Sequence, residues 1–201
     1  MIKLYDHPLS GNCYKVRLLL NQLDLEYERI TVDFFKGEHK TEEFTRLNPI
    51  QKIPVLEENG YMIWESNAIL LYLAKKYSLN EYYTEEFDRF GLVSQWLFFG
   101  KTTLDPNLAR ARFITRFVPK EKRNQKELVM FRSAGLIVLG ILEDHLERND
   151  YLVGSYTIAD IGCYPYVNTA EEGEISLEPF LNIRNWCDRI RSQPGYISMG
   201  D

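Results

Sequence analysis

The hydrophobic residues of this chain change their rhythm once, near residue 78, and that change constrains the fold more than any other feature. Before it, short β-like runs alternate with helical ones. "IKLYD" reads as a strand, and Val16, Leu19, Leu20 and Leu23 then recur at helical spacing. "YERITVD" alternates polar and apolar, and "TEEFTRL" is a short amphipathic helix. "PVLEE" and "YMIW" are strands joined at Asn59-Gly60, and "SNAILLYLAKKY" is a helix. The order β-α-β-α-β-β-α predicts a small mixed sheet flanked by helices. After Ser78 strand signals largely stop. "FDRFGLVSQWLFFGKTTL", "ELVMFRSAGLIVLGILEDHLER", "IADIGCYPYV" and "FLNIRNWCDRIRS" all carry apolar residues at helical spacing, which predicts an all-α second domain. The expected domains are 1–78 and 87–201, with a polar and aromatic connector over 79–86.

Composition narrows the function classes. A formal net charge of -5 argues against nucleic acid as the main ligand, because phosphate contacts need a basic surface. One stretch, "RARFITRFVPKEKRNQK" from Arg110 to Lys126, is basic; it reads as a solvated loop and helix face rather than an anion site. No run is long enough to span a bilayer, and no signal peptide is expected at the N-terminus. Three spaced cysteines, Cys13, Cys163 and Cys187, make no disulfide framework and point to a cytoplasmic location. No histidine has metal-ligand spacing and no glycine-rich phosphate loop occurs, so neither metal nor nucleotide is expected.

The chemistry concentrates where strands meet helices. "LSGNCYKVRL" reads like a redox motif with a hydroxyl, Ser10, where a first cysteine would stand. A helix start presents unpaired N–H groups and partial positive charge, so it stabilises an anion. With no protein thiol at position 10, that anion can be a ligand's thiolate, to which Ser10 donates a hydrogen bond. A thiol of pKa about 8.5 is mostly protonated at neutral pH, and such a site increases its reactive fraction. In "NPIQKIPVL", a cis bond between Ile53 and Pro54 would expose main-chain groups to an extended peptide. At the next junction Ser66 can bind a carboxylate while Glu65 accepts from an ammonium. Together the three junctions describe a small anionic thiol peptide.

The stretches "LSGNCYKVRLLL", "NPIQKIPVL", "ESNAILLYLA" and "VGSYTIADI", in this order and spacing, resemble the soluble glutathione S-transferases, bacterial members with Ser or Thr beside Asn above all. The resemblance runs through "RSQPGYI" and implies a thioredoxin-like N-terminal domain followed by a helical one. It implies that Ser10 activates the sulfur of glutathione with help from Asn12, that Ile53 and the cis Pro54 hold the cysteinyl main chain, and that Glu65 and Ser66 take the γ-glutamyl group. Lys52 and His39 lie where such proteins often contact the glycine carboxylate. A small electrophile or a peroxide would be the second substrate, detoxification the role, and a homodimer the assembly. Related bacterial sequences carry histidines where this chain has Asn168 and Glu171, and no proline at Pro165, so preferences for the second substrate do not transfer.

Each residue also has a plainer reading. Ser10 can be a helix cap, Glu65 a solvated strand end, and Cys13 a small packed hydrophobe rather than a reactive thiol. Tyr5, the rival activator, sits inside the first strand where core packing is expected. Phe99, Arg112 and Phe113 are candidates for an electrophile pocket, although aromatic residues at helical spacing usually serve the core. "SYTIADI" is a folding signal: Thr157 caps a helix and Asp160 returns a bond to the cap. Pro165 then removes a helical bond and should bend the axis. Two other functions stay open, a glutathione-dependent disulfide reductase or peroxidase, and a non-catalytic interaction module of the same fold.

Overall fold

The computed structural model describes residues 1–78 and 82–201, so part of the expected connector, 79–81, lies outside the described residues. Two compact units divide the chain, Met1–Asn80 with Pro194–Asp201, and Glu81–Gln193. The last eight residues, which periodicity groups with the helical half, thus pack with the first unit.

The first unit is a thioredoxin-like sheet with helices. Strands β1 (Ile2–Asp6), β2 (Tyr27–Thr31), β3 (Val55–Glu58) and β4 (Tyr61–Trp64) lie in the order β2-β1-β3-β4. β1 runs parallel to β2 and antiparallel to β3, and β3 pairs antiparallel with β4. Parallel neighbours cannot be joined by a hairpin, so α1 (Gly11–Gln22) carries the chain across. The β3–β4 hairpin turns on Asn59 and Gly60, both at positive φ (51° and 85°), as a two-residue turn of matching twist demands. Helix α2 (Glu42–Leu47) starts at a Thr41 cap whose Oγ1 accepts from Phe44 N at 3.2 Å. Phe44 packs with Val32 and Val55 in a small cluster that Tyr5, Leu47 and Ile53 complete. Helix α3 (Ser66–Tyr77) buries Ile69, Leu70 and Leu73.

A buried carboxylate braces β3 against α3. Glu58 accepts from Tyr72 OH at 2.7 Å and from Tyr77 OH, and pairs with Lys76 Nζ at 2.9 Å. Burial alone would raise its pKa, but the bonds from Lys76 and the two tyrosines prevail and hold it at about 2.

The second unit is helical throughout its regular structure: α4 (Phe87–Phe99), α5 (Asp105–Phe117), α6 (Gln125–Leu146), α7 (Ile158–Asn168) and α8 (Leu181–Arg191). A π-helical turn, Gly100–Leu104, joins α4 to α5. α5 falls partly on the stretch expected as a solvated basic loop and helix face. Its apolar positions Leu108, Ala111 and Ile114 are buried, and its arginines are engaged: Arg112 donates to Glu172 at 2.8 Å, Arg116 bonds the same carboxylate, and Arg110 pairs with Glu127 at 3.3 Å. Arginines recurring through the segment mask its apolar face in the sequence.

The folding signal before α7 forms as expected. Thr157 Oγ1 accepts from Ala159 N at 3.2 Å, and Asp160 Oδ2 accepts from Thr157 N at 2.9 Å. Asp160 also accepts from Leu152 N (3.0 Å) and from the indole of Trp186 (2.9 Å). Burial nonetheless pushes its pKa up to about 6. Pro165 lies within α7.

The two carboxylates bend the pH dependence of stability in opposite directions. The folded pKa of Glu58 is depressed, so its contribution is present above about pH 4.5 and is lost as pH falls towards 2. That of Asp160 is raised, so its contribution is present below about pH 4 and is lost as pH rises through about 6. Urea denaturation across pH 2–8 should therefore show a shallower acid-side fall in Glu58→Gln, which also loses about 1–3 kcal/mol at neutral pH. Asp160→Asn should lose the decline between pH 4 and 7.

Candidate functional site in the first unit

β1 ends at Asp6, and a tight turn through Pro8 and Leu9 delivers the chain to α1. Ser10 N donates to His7 O at 3.0 Å, and Ser10 O accepts the first helical bond from Tyr14 N at 2.9 Å. With φ -83° and ψ 118°, Ser10 is the helix cap, and its Oγ accepts from Cys13 N at 3.3 Å. An alcohol that accepts an N–H still has one proton to donate. The plain reading of Ser10 as a cap and the functional one as a donor are therefore compatible in one geometry.

The start of α3 comes to the same place. Ser66, buried at its first position, donates from Oγ to Asn12 Oδ1 at 3.1 Å. That bond commits the Ser66 hydroxyl proton to Asn12 and ties two helix N-termini together. Glu65, the residue before α3, has φ 70° and ψ 112°, a conformation only glycine adopts without steric penalty. A non-glycine residue held there carries strain of about 1–3 kcal/mol, and such strain clusters at binding sites.

The Ile53–Pro54 bond is cis, Pro54 is buried, and Ile53 packs on the Val32–Phe44–Val55 cluster. The approach to it is organised by Asn48, a residue whose part the sequence reading missed. Its side chain is 1% exposed, donates to Lys52 O at 2.6 Å and accepts from Ile50 N at 3.1 Å. An asparagine before a proline is a turn signal, and that was the available clue. The Lys52 side chain is exposed. His39 is buried in a 3₁₀ turn (Glu38–Lys40), its ring stacked on Phe34 at 4.2 Å and 12°, with Nδ1 lacking a hydrogen-bond partner. Burial, helped by the charge of Lys40, lowers its pKa and keeps the ring neutral at physiological pH.

Of the rivals of Ser10, Cys13 lies in the core and Tyr5 is half-buried at the edge of a small apolar cluster. The Cys13 thiol is fully buried, and burial, with the nearby Asp6 charge, raises its pKa far out of the reactive range. Tyr5 donates to Glu57 at 3.3 Å and packs edge-on against Phe44, and its pKa is raised by burial and by Glu57.

The electrophile candidates lie in the second unit on two helices. Phe99 on α4 packs edge-on against Trp96. On α5, Arg112 is buried with its guanidinium bonded to Glu172 and set over the Phe117 ring, and Phe113 packs against Phe117. Asn168 accepts from Arg191 at 2.9 Å, while Glu171 is exposed. Among the described residues no cluster of three or more His, Cys, Asp or Glu side chains could hold a metal ion, and no helix is long and apolar enough to cross a membrane.

Comparison with known proteins places these features in context. The family model for the glutathione S-transferase N-terminal domain matches residues 1–75, and that for the glutathione S-transferase C-terminal domain matches 108–194. The chain is 34% identical to the disulfide-bond oxidoreductase YfcG of Escherichia coli over 202 residues, 96% of this chain and 92% of that one. A glutathione S-transferase crystal structure from Pseudomonas fluorescens superposes with a TM-score of 0.93 at 41% identity, covering 100% of this chain and 99% of its own. The glutathione transferase URE2P6 of Phanerochaete chrysosporium, solved in complex with oxidized glutathione, gives 0.87 at 31% identity over 96% of this chain and 92% of its own.

Strain at position 65 has a measurable signature. Glu65→Gly should be more stable than Glu65→Ala by about 1 kcal/mol in urea denaturation, because glycine alone accepts the positive φ without penalty. Equal stability of the two variants would show that position 65 carries no strain.

Proposed function

The chain belongs to the glutathione S-transferase family, and from that premise we propose that it binds glutathione on its first unit, holds the thiolate at Ser10 and transfers it to a small electrophile. The observation that carries this reading is the double role of Ser10. Its Oγ accepts the Cys13 N–H at the positive end of α1, and an alcohol in that role has one proton that it could donate to the sulfur.

The remaining groups suit the rest of the peptide. The glycine carboxylate is met by the Lys52 charge and the neutral His39 ring. Ile53, before the cis Pro54, offers its main chain to the cysteinyl residue. Glu65 accepts from the γ-glutamyl ammonium. Because the Ser66 hydroxyl bonds Asn12, the Ser66 main-chain N–H is the donor left for the γ-glutamyl carboxylate, and the Ser66–Asn12 bond links that end of the ligand to the thiolate end. The thiolate then attacks the electrophile's carbon, the new C–S bond forms, and the leaving group departs with the bonding pair. Rate enhancement comes from thiolate stabilisation and proximity.

A homodimer in the cytoplasm is part of the proposal. Supporting it are exposed apolar side chains on α6 (Val129, Met130, Ile137 and Ile141) and on the edge strand β4 (Tyr61, Met62 and Trp64), surfaces of the kind that protein partners cover. The three cysteines are free, as in a reducing compartment. Detoxification of electrophiles is the corresponding role. The likeness to a disulfide-bond oxidoreductase favours a second reading, in which the same bound thiolate attacks a disulfide.

Titrating glutathione into wild type and Ser10→Ala, by calorimetry and by the ultraviolet absorbance of bound thiolate, tests the proposal. Micromolar-to-millimolar binding is expected, with a thiolate signal that falls in the variant and a turnover loss of about 10- to 100-fold. Faster turnover of halogenated nitroaromatics than of disulfide-linked model substrates supports the transferase; the reverse order supports the reductase. No binding at several millimolar overturns both and favours the interaction module.

A further inference from the structure

One buried guanidinium joins the turn before Ser10 to the segment Pro194–Asp201. Arg17 lies two turns into α1 and is fully buried. Its Nη2 donates both to Pro8 O (3.0 Å) and to Met199 O (2.9 Å), and its Nη1 donates to Asp201 O (2.6 Å). Nε forms an ion-pair contact with Asp6 Oδ2 at 3.4 Å. The same carboxylate oxygen binds Arg29 at 2.9 Å, and Arg29 Nη1 donates to Asp201 O at 2.8 Å.

The same face of α1 continues the grip. Tyr14 OH donates to Ile197 O at 2.7 Å, and Asn21 Nδ2 donates to Gly195 O at 2.7 Å. Positions 14, 17 and 21 share one helical face. Their acceptors alternate along the segment, at Gly195, Ile197, Met199 and Asp201, so α1 reads its main chain. Gly195, at φ 69°, lies so close that a Cβ would come within 3.0 Å of Gln22 Cα and 3.1 Å of Asn21 O.

We propose that Arg17 is a positioning residue for the thiolate site: the docked segment fixes its guanidinium, and the guanidinium fixes the Pro8–Ser10 turn that aims the Ser10 hydroxyl. Arginine suits this role because its planar fork serves acceptors in several directions at once, which an ammonium group cannot reproduce in the same geometry. Without the segment, Nη1 and Nη2 lose Asp201 O and Met199 O. A buried guanidinium then turns towards other acceptors or water, and Pro8 loses its tether. The catalytic side of this inference rests on the reading of Ser10 as the thiolate's hydrogen-bond donor.

Three variants test it: Arg17→Lys, Gly195→Ala, and the chain cut after Gln193. Gly195→Ala perturbs the segment beside Asn21, about 16 Å along α1 from Ser10, and keeps the chain intact should the cut variant fold poorly. The first readout, amide hydrogen exchange without ligand, should show Leu9 and Ser10 exchanging about tenfold faster in all three, with α3 amides unchanged. The second, the pH dependence of bound-thiolate absorbance, should show a raised thiol pKa. kcat should fall severalfold at pH 7 while KM for glutathione stays within about twofold. Combining Arg17→Lys with the cut should add little to either change, since both act on the turn through the Arg17 guanidinium. Lowered thermal stability with unchanged exchange at Leu9 and Ser10 overturns the positioning role. Faster exchange with an unchanged thiol pKa confines Arg17 to holding the turn and overturns the catalytic side. Absence of glutathione binding in the wild type overturns the Ser10 reading, while the exchange measurement still decides whether Arg17 holds the turn.

Discussion

The parallel pairing of β1 with β2 is the constraint on which the first unit depends. Adjacent parallel strands require a crossover, and the crossover here is α1, packed so closely that every residue from Cys13 to Leu20 is buried. A helix placed this way has an N-terminus at the end of β1 that no further secondary structure completes. Its first N–H groups need an acceptor, and Ser10 supplies one. The chemistry proposed for Ser10 thus begins as a solution to a folding problem.

Burying α1 on all sides also buries its polar side chains, and the fold has to satisfy them. Arg17 and Asp6 are both inside. An uncompensated charge there would be strongly destabilising, and the two pair with each other and with further partners, although Asp6 Oδ1 and Arg17 Nε are left without a hydrogen bond. For Arg17 those partners are the Asp6 carboxylate and main-chain oxygens from two distant places, Pro8 and the Met199–Asp201 stretch. Satisfying one buried charge therefore fixes the geometry of a turn and docks a segment far away in sequence. Asn48 does the same on a smaller scale, holding the chain ahead of Pro54 with one donor and one acceptor.

Periodicity made the elements legible wherever apolar residues stood clear of charge. "IKLYD" and "SNAILLYLAKKY" coincide with β1 and α3 to the residue. α5 was obscured because its buried face of Leu108, Ala111 and Ile114 alternates with arginines whose partners, such as Glu172, lie elsewhere in the sequence. The three junctions were legible because helix starts and X-Pro bonds are local. The Ser66–Asn12 bond was not, since it joins residues 54 apart, nor was the docking of Pro194–Asp201, which depends on main-chain carbonyls that carry no side-chain signature. Local chemistry can be read along the chain, whereas the coupling between local sites belongs to packing.

The placement of the thiols bears on the two reactions this site could support. Cys13, Cys163 and Cys187 are all buried, and burial raises the pKa of Cys13 and Cys187. An alcohol at position 10 cannot form a disulfide. Reduction of a disulfide at this site would therefore draw both electrons from glutathione: one thiolate attacks and forms a mixed disulfide while a substrate thiol leaves, and a second glutathione resolves that product to oxidised glutathione and another thiol. Conjugation needs only the first attack. Both reactions would begin with the thiolate proposed at Ser10, so Ser10 and the start of α1 would serve them equally. What separates them is whether the bound sulfur remains open to a second thiol, a property of the space around Ser10 rather than of its hydrogen bonds.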